Sequence, residues 1–292
     1  MGKRILLFVL TNIAVVVVLS IVLSVLGIGN YIGADGNLQF GSLAVFCLVW
    51  GMGGAFISLQ LSRWMAKRAM GIQLVDGRTG QPALDWLYNT VALQAQRSNL
   101  PMPEVGIYQS PEVNAFATGP SRNRSLVAVS SGLLDRMERS EVEAVLGHEM
   151  GHIANGDMVT MTLIQGVVNA FVMFFARVAA FAVRQMVDSR IADVLSFVVM
   201  IVLQIGLGFL GLLVTSWFSR HREFYADAAG ATLAGRANMI AALRRLQGTQ
   251  QLVDNSQTSL AAFKISGVKG FMAAFSTHPP LEVRIAALER GR

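Results

Sequence analysis

Four stretches without a charged residue constrain this chain more than any other feature of its sequence. They cover residues 5–28, 42–61, 158–176 and 194–219. Because a helix needs about 20 apolar residues to cross the hydrocarbon core of a bilayer, the first, second and fourth stretches are long enough to span a membrane. The third is marginal because Arg177 lies within the continuation of its apolar pattern. The sequence therefore predicts a mainly α-helical integral membrane protein with up to four transmembrane helices.

The composition of the whole chain agrees with this prediction. Hydrophobic residues make up 53% of the 292 residues and charged residues only 14%, whereas a soluble domain carries about 25% charged residues. The single cysteine, Cys47, excludes an intramolecular disulfide framework and a cysteine-rich zinc finger. The net charge of +6 is not gathered into a basic stripe with interleaved aromatic residues, so no nucleic-acid partner is expected.

Basic residues set the expected orientation of the first two stretches. Lys3 and Arg4 precede the first stretch, and three basic residues at positions 63, 67 and 68 follow the second. The connecting loop carries only Asp35. The first stretch is longer than the apolar core of about 7–15 residues in a signal peptide, so we expect a retained anchor. By the positive-inside rule, residues 1–68 form a transmembrane hairpin with both ends in the cytoplasm.

The sequence between the second and third stretches is typical of an α+β segment outside the lipid. Helical spacing predicts a helix over 82–99, and short extended patterns predict strands over 105–108, 113–117 and 125–130. Ser140, with Glu143 three residues later, has the pattern of a helix N-cap with a capping box. Near the other end of the chain, a run rich in Gln, Ser, Thr and Asn predicts a mobile loop over 247–259.

The motif that carries chemistry is His148-Glu149-Met-Gly-His152, on the helix that this cap begins. Two histidines four residues apart project from one face of a helix, where both imidazoles can bind one zinc ion. The glutamate beside the first histidine is placed to take a proton from water. The segment before the motif, 135–143, carries too many charges to lie in lipid, so the site is expected to face the cytoplasm.

A third protein ligand is needed, because catalytic zinc has three protein ligands and one open position. A histidine at position 158 would complete the metzincin pattern, but that position is Met158. His221, just past the fourth apolar stretch, is one candidate, although its place also fits a residue that faces lipid headgroups. Glu223 is the better candidate, because Asp227 shares its helical face and can accept a hydrogen bond from a zinc-bound histidine.

Two other function classes stay open on the residues alone. An intramembrane site-2-type metalloprotease also uses the His-Glu-x-x-His motif, but within a transmembrane helix. A non-catalytic membrane scaffold or transporter would use the polar segment only for regulation and would bind no zinc tightly. The metal content of the purified protein would separate this last class from both proteases.

Several motifs along the chain together match one known pattern. They are the motif at 148–152, Glu223-x-x-x-Asp227 after two apolar stretches, Thr277-His278-Pro279-Pro280 followed by Arg284, and Asn114-Ala-Phe-Ala-Thr-Gly ahead of the metal helix. With the N-terminal hairpin, they resemble the HtpX family over nearly the whole chain. HtpX proteins are bacterial inner-membrane zinc metalloproteases related to the prenyl-protein endoprotease of eukaryotes. The resemblance implies endoproteolysis of misfolded or surplus membrane proteins, as part of envelope quality control.

The resemblance also implies a role for each matching residue of the metal site. One zinc ion per chain would be bound by His148, His152 and Glu223. Glu149 would act as general base and then deliver the proton to the leaving amine. Asp227 would accept a hydrogen bond from a zinc-binding histidine.

Matching residues outside the metal helix receive roles in the same way. His278 would stabilise the oxyanion, and the alternative for it is a turn histidine before two prolines. Arg284 would pair with an acidic group near the site, and the alternative for it is a solvated position on its helix. Asn114, Ala115, Phe116 and Ala117 would form an edge strand along which an extended substrate pairs. The alternative for these four residues is an internal strand.

The apolar stretches divide the chain into four expected segments. These are a transmembrane hairpin at 1–68, the first segment of a zincin-like α+β protease domain at 69–157, a second hydrophobic hairpin at 158–218, and the second protease segment at 219–292. Because His152 precedes the third stretch and Glu223 follows the fourth, one ion can bind both only if the chain returns to the side it left. We therefore predict two crossings there, in a multi-pass protein of the bacterial inner membrane.

Overall fold

A computed structural model describes residues 2–25, 27, 31–256 and 275–291, with the backbone alone for 2–12, 14 and 249–256. The helices are α1 (Gly2–Val25), α2 (Phe40–Met70), α3 (Pro82–Arg97), α4 (Ser131–Arg136), α5 (Arg139–Asn155), α6 (Asp157–Met186), α7 (Ser189–Ala234), α8 (Arg236–Ser256) and α9 (Leu281–Glu289). The strands are β1 (Gln73–Val75), β2 (Glu104–Tyr108), β3 (Ala115–Thr118) and β4 (Leu126–Ser130).

The chain forms two compact units, and the long helices α2, α6 and α7 run from one into the other. The helical unit comprises Met1–Leu59 with Thr160–Thr215, and the sheet unit comprises Gln60–Val159 with Ser216–Arg292. Each unit is therefore assembled from two separate parts of the sequence.

The helical unit exposes apolar side chains over most of its surface. In the described part of the chain, α2, α6 and α7 are long and apolar enough to cross a membrane. Only 6% of the most apolar 18-residue window of α7 is buried, and 22% of those of α2 and α6. Apolar surface of this extent is unstable in water, so these helices require lipid around them. The prediction of a mainly helical membrane protein is confirmed.

Helices α6 and α7 form an antiparallel hairpin within the helical unit. A two-residue turn joins them, and Arg184 lies 3.0 Å from Asp193 beside that turn. Deeper in the hairpin, a side chain added at Gly211 would collide with Val168. Contacts both beside the turn and far from it show that the two helices run side by side.

The sheet unit is built around four strands in the order β1-β2-β4-β3. Strands β2 and β4 are parallel, whereas β1 and β3 run antiparallel to their neighbours. The sheet packs against α3 and α5, and α8 packs on α5, around a core that includes Leu87, Leu146, Met150 and Leu243. This packing holds α5, the helix that carries the predicted metal motif, between the sheet and α8.

Some local predictions need correction. The cap of α5 lies two residues earlier than predicted, at Glu138, whose backbone N–H donates to Glu141 at 2.9 Å. The loop predicted over 247–259 is wrong up to Ser256, because α8 continues to that residue. Only glycine in that stretch disfavours a helix strongly, and no proline stops it. Residues 257–259 lie outside the described residues.

Candidate metal centre

Two helices bring the predicted metal ligands together inside the sheet unit. His148 and His152 lie one turn apart on α5, and Glu223 projects from the C-terminal part of α7, beyond its apolar stretch. One donor atom from each lies within 4.8 Å of the others. The two Nε2 atoms are 3.2 Å apart, and the carboxylate of Glu223 lies 3.4 Å from His152 Nε2 and 3.7 Å from His148 Nε2.

Glycines in the motif allow α5 and α7 to approach closely enough for this arrangement. A Cβ atom added at Gly151 would lie 2.7 Å from the Cβ atom of Ala229, and one added at Gly147 would lie 3.0 Å from the Cα atom of Gly230. Contacts this short are closer than side chains tolerate. The two glycines therefore let the backbones meet, which brings Glu223 within reach of both histidines.

The hydrogen bonds of the two imidazoles favour a cation between them. His148 Nδ1 lies 2.9 Å from Asp227 Oδ1, and His152 Nδ1 lies 2.6 Å from Asp157 Oδ2. Because an ionised carboxylate only accepts, each Nδ1 donates its proton, so each Nε2 of a neutral imidazole carries a lone pair. Two such lone pairs that face each other at 3.2 Å repel unless a proton or a metal cation lies between them.

The carboxylate of Glu223 supplies the third donor of this set. Its Oε2 atom is buried and lies 3.0 Å from Arg284 Nη1 and 2.8 Å from His278 Nδ1, but it has no partner in hydrogen-bond geometry among the described residues. A tetrahedral ion with bonds of about 2.0–2.1 Å keeps its ligands about 3.3 Å apart, which is close to the separations observed here. The donor set therefore fits Zn²⁺, which prefers nitrogen and oxygen ligands in this geometry.

The pKa of His152 also favours a cation at this site. Burial by itself lowers the pKa of His152, but the carboxylates of Asp157 and Glu223 outweigh it and raise the pKa to about 9. A pocket that stabilises a proton on this ring near neutral pH also stabilises a metal cation beside it.

Asp157 contacts the metal motif, although the sequence analysis did not predict it. Gly156 ends α5 in the left-handed conformation, with φ of 71°, and Asp157, the next residue, contacts His152. Arg222 donates to the backbone carbonyl of Asp157 at 3.3 Å and thereby fixes this turn. The sequence carried one sign of this contact, because Asp157 follows His152 by five residues and comes directly after a glycine.

Arg284 is buried at the centre of the acidic groups rather than solvated on its helix. Its Nε donates to Asp227 Oδ2 at 2.8 Å, and its Nη1 lies 3.0 Å from Glu223 Oε2. Burial lowers the pKa of Arg284, but Asp227 outweighs this and raises it above its ordinary value. The predicted pairing of Arg284 with an acidic group is present. It joins α9, which carries Arg284, to α7, which carries Asp227 and Glu223.

A cavity of about 130 Å³ opens beside the donor set. Glu149, which is buried, lines it together with His148, Glu223 and Arg284. His278 lies at the same cavity with its side chain 63% exposed, and its Nδ1 is 2.8 Å from Glu223 Oε2. The cavity thus holds a carboxylate, a solvent-accessible imidazole and the donor set around one space.

The predicted substrate strand lies at the edge of the sheet. β3 pairs only with β4 among the described strands, so its other edge is free. Asn114 and Ala115 line the cavity. Phe116 packs instead against Tyr108 on the opposite face, with ring centroids 5.9 Å apart, and Ala117 packs against the main core of the unit.

His221 does not join the other histidines of the site. It is exposed, and its Nδ1 lies 2.9 Å from the backbone carbonyl of Trp217, one turn earlier on α7. The group of possible metal ligands in the described part of the chain consists of His148, His152 and Glu223.

Comparison with known proteins identifies the family. The model of the family described as peptidase family M48 matches residues 83–291. The chain belongs to peptidase family M48. Full-length relatives agree: "Protease HtpX homolog" of Bacillus licheniformis is 52% identical and "Protease HtpX" of Idiomarina loihiensis is 50% identical. The first alignment covers 99% of each chain, and the second covers 99% of this chain and 100% of the relative.

The fold of this M48 peptidase is also found in a solved structure. The crystal structure of S. mikatae Ste24p matches with a TM-score of 0.62 and 17% identity, over 99% of this chain and 66% of that one. At this identity the likeness shows the fold alone. Family membership and the long apolar helices confirm a membrane metalloprotease, and neither the site-2-type reading nor the scaffold or transporter reading is favoured.

Proposed function

We propose that this M48 peptidase is a zinc endopeptidase of the bacterial inner membrane, with its active site in the cytoplasm, that cleaves misfolded or surplus membrane proteins. The observation that carries the proposal is the meeting of two imidazoles and one carboxylate beside a cavity that Glu149 lines. His148, His152 and Glu223 would hold one zinc ion per chain. When bound, zinc lowers the pKa of water and polarises the scissile carbonyl.

Glu149 moves the protons of the reaction. Its carboxylate borders the same cavity as the ligands, so it can accept a proton from the attacking water and return it to the leaving amine. Asp227 and Asp157 accept the Nδ1 protons of the two histidines, which keeps each Nε2 free to bind the metal. His278, at the solvent side of the cavity, stabilises the developing oxyanion.

The free edge of β3 positions the substrate. An extended peptide that pairs with this edge gains backbone hydrogen bonds without regard to its sequence. Asn114 and Ala115 border the cavity, so a peptide on this edge runs past Glu149. Recognition through the backbone suits an enzyme that removes unfolded chains of many sequences.

The positions of the ligands and the flanking charges support a membrane topology with the site on the cytoplasmic side. His152 precedes α6 and Glu223 lies on the last part of α7, so the α6–α7 hairpin leaves the protease side and returns to it. Basic residues flank the ends that meet the cytoplasm, at positions 3, 4, 63, 67, 68, 220 and 222. We retain the division into hairpins at 1–68 and 158–218 and protease segments at 69–157 and 219–292.

The test is cleavage of an unfolded model substrate by the purified full-length protein. A chelator is expected to abolish cleavage, and added zinc is expected to restore it. The Glu149→Gln variant is expected to retain zinc but to lose about 10²–10⁴-fold in rate, the contribution of a general base. The wild type is also expected to cleave itself in detergent when zinc is supplied, whereas the variant stays intact. Wild-type cleavage by Glu149→Gln would refute the mechanism.

A further inference from the structure

Arg177 occupies an unusual position in the helical unit. It interrupts the apolar pattern of α6, and its buried Nε atom has no hydrogen-bond partner among the described residues. Its guanidinium lies 5.2 Å from the ring centroid of Phe46, and Nη1 reaches the carbonyl of Met173 only at 3.4 Å. No described carboxylate forms an ion pair with it. A charge within a membrane helix is costly when unpaired and marks a functional site.

A cavity connects this arginine to a second one near the hairpin turn. The cavity has a volume of about 190 Å³ and contains both Arg177 and Arg184 in its lining. Its other walls are largely apolar or aromatic, including Tyr31, Phe181 and Phe197. Arg184 also pairs with Asp193 at 3.0 Å, but both side chains are exposed, so the pair is weak and can open.

The lengths along α6 place this cavity at a membrane interface. Arg177 follows the start of the apolar stretch at Met158 by 19 residues, which is about 28 Å along a helix. The hydrocarbon core is about 30 Å thick, so Arg177 reaches the far boundary of the core. Arg184 lies seven residues, or about 10 Å, further on. The two guanidinium groups therefore bracket the depth at which lipid phosphates lie.

We propose that this cavity binds the phosphodiester headgroup of an anionic phospholipid from the leaflet opposite the protease site. Arg177 and Arg184 contact the phosphate, which supplies the anionic partner that Arg177 lacks within the described chain. The acyl chains lie against the apolar surface of α7, where Phe197 is 60% exposed. The bound lipid holds the α6–α7 hairpin at a fixed depth in the membrane. The proposal rests on the crossing of α6 but not on proteolysis.

The test measures lipid affinities of the delipidated full-length protein by native mass spectrometry. Phosphatidylglycerol and phosphatidylcholine with identical acyl chains are titrated separately. We expect phosphatidylglycerol to bind more tightly, with about fivefold lost in Arg177→Gln, the contribution of one basic residue near an anionic surface. Phosphatidylcholine carries the same phosphate, but its choline ammonium offsets part of the attraction, so a smaller loss is expected for this lipid in the variant. Arg184→Gln is expected to lose less, because Asp193 already neutralises part of its charge.

Matched controls separate this site from general electrostatics. Arg190→Gln makes the same charge change beside the same turn, but Arg190 is exposed and does not line the cavity, so the lipid preference is expected to persist. Arg177→Lys keeps the charge and is expected to keep the preference, and zinc content reports folding of every variant independently. Millimolar inorganic phosphate is expected not to displace the lipid. Equal lipid affinities in the wild type, an equal loss in Arg190→Gln, or displacement by phosphate would each overturn the proposal.

Discussion

Replacing Asp157 by asparagine is expected to weaken zinc binding about tenfold without unfolding the protein. Asp157 Oδ2 lies 2.6 Å from His152 Nδ1, and the Asp157 side chain is only 8% exposed, so solvent screens the pair poorly. A hydrogen bond to a charged partner contributes about 1.5–3 kcal/mol and a neutral one about 1 kcal/mol. Asparagine can still accept the proton, so the difference is about 0.5–2 kcal/mol, and about 1.4 kcal/mol corresponds to tenfold in affinity.

Asp227 is expected to respond differently, although it supports the other histidine. Its carboxylate also holds the buried guanidinium of Arg284. Asp227→Asn removes the charge that compensates Arg284, and breaking a buried ion pair costs about 3–5 kcal/mol of folding free energy. Glu223 remains 3.0 Å from Arg284, so we expect about 3 kcal/mol, at the lower end of that range. The two substitutions are thus expected to differ, since Asp157→Asn changes mainly the zinc affinity and Asp227→Asn changes mainly the folding stability.

The assay combines zinc competition against a chromogenic chelator with thermal unfolding of the metal-free protein. Asp157→Asn should raise the zinc Kd and leave the metal-free Tm near wild type, whereas Asp227→Asn should lower that Tm by several degrees. Asp135→Asn, an exposed substitution on α4, is the matched control and should change neither quantity. A zinc Kd within twofold of wild type for Asp157→Asn would refute the positioning role of this residue. So would a fall in its metal-free Tm as large as that of Asp227→Asn.

Three further outcomes test the remaining assignments. Glu223→Ala should lose zinc and His221→Ala should keep it, because only Glu223 lies beside both metal-binding histidines. The zinc content of the purified variants tests this, and the reverse result would make His221 the third ligand. His278→Ala should retain zinc and lose about 10²-fold in rate, the scale of one oxyanion donor; loss of zinc instead would make it a ligand. In a cysteine-free background, an impermeant thiol reagent applied to intact cells with a permeabilised outer membrane should label a cysteine at Ser189 and spare one at Ala83. Protection at both positions would contradict the full α6–α7 crossing, and labelling at Ala83 would contradict the cytoplasmic site.

Local patterns in the sequence identified much of this protein before any fold was known. The uncharged stretches predicted membrane helices because lipid tolerates few charges, and α2, α6 and α7 are the helices found there. The motif at His148 and His152 could be interpreted because a helix repeats every 3.6 residues, which places positions four apart on one face. The pairing of Glu223 with Asp227 on one helical face was accessible for the same reason.

Contacts between residues on different helices and strands could not be predicted in this way. Asp157 faces His152 only because α5 ends at Gly156 in the left-handed conformation, and Arg284 is buried only because α9 brings it to Asp227 and Glu223 on α7. The approach of α5 to α7 depends on Gly147 and Gly151, whose missing side chains have meaning only when the second helix is present. Strand β3 is an edge strand because of the order in which the strands pair. The sequence by itself determined the membrane helices and the chemistry of the metal motif, since both depend on near neighbours along the chain. The tertiary structure alone decided which charges support that motif, because those contacts join residues that only packing brings together.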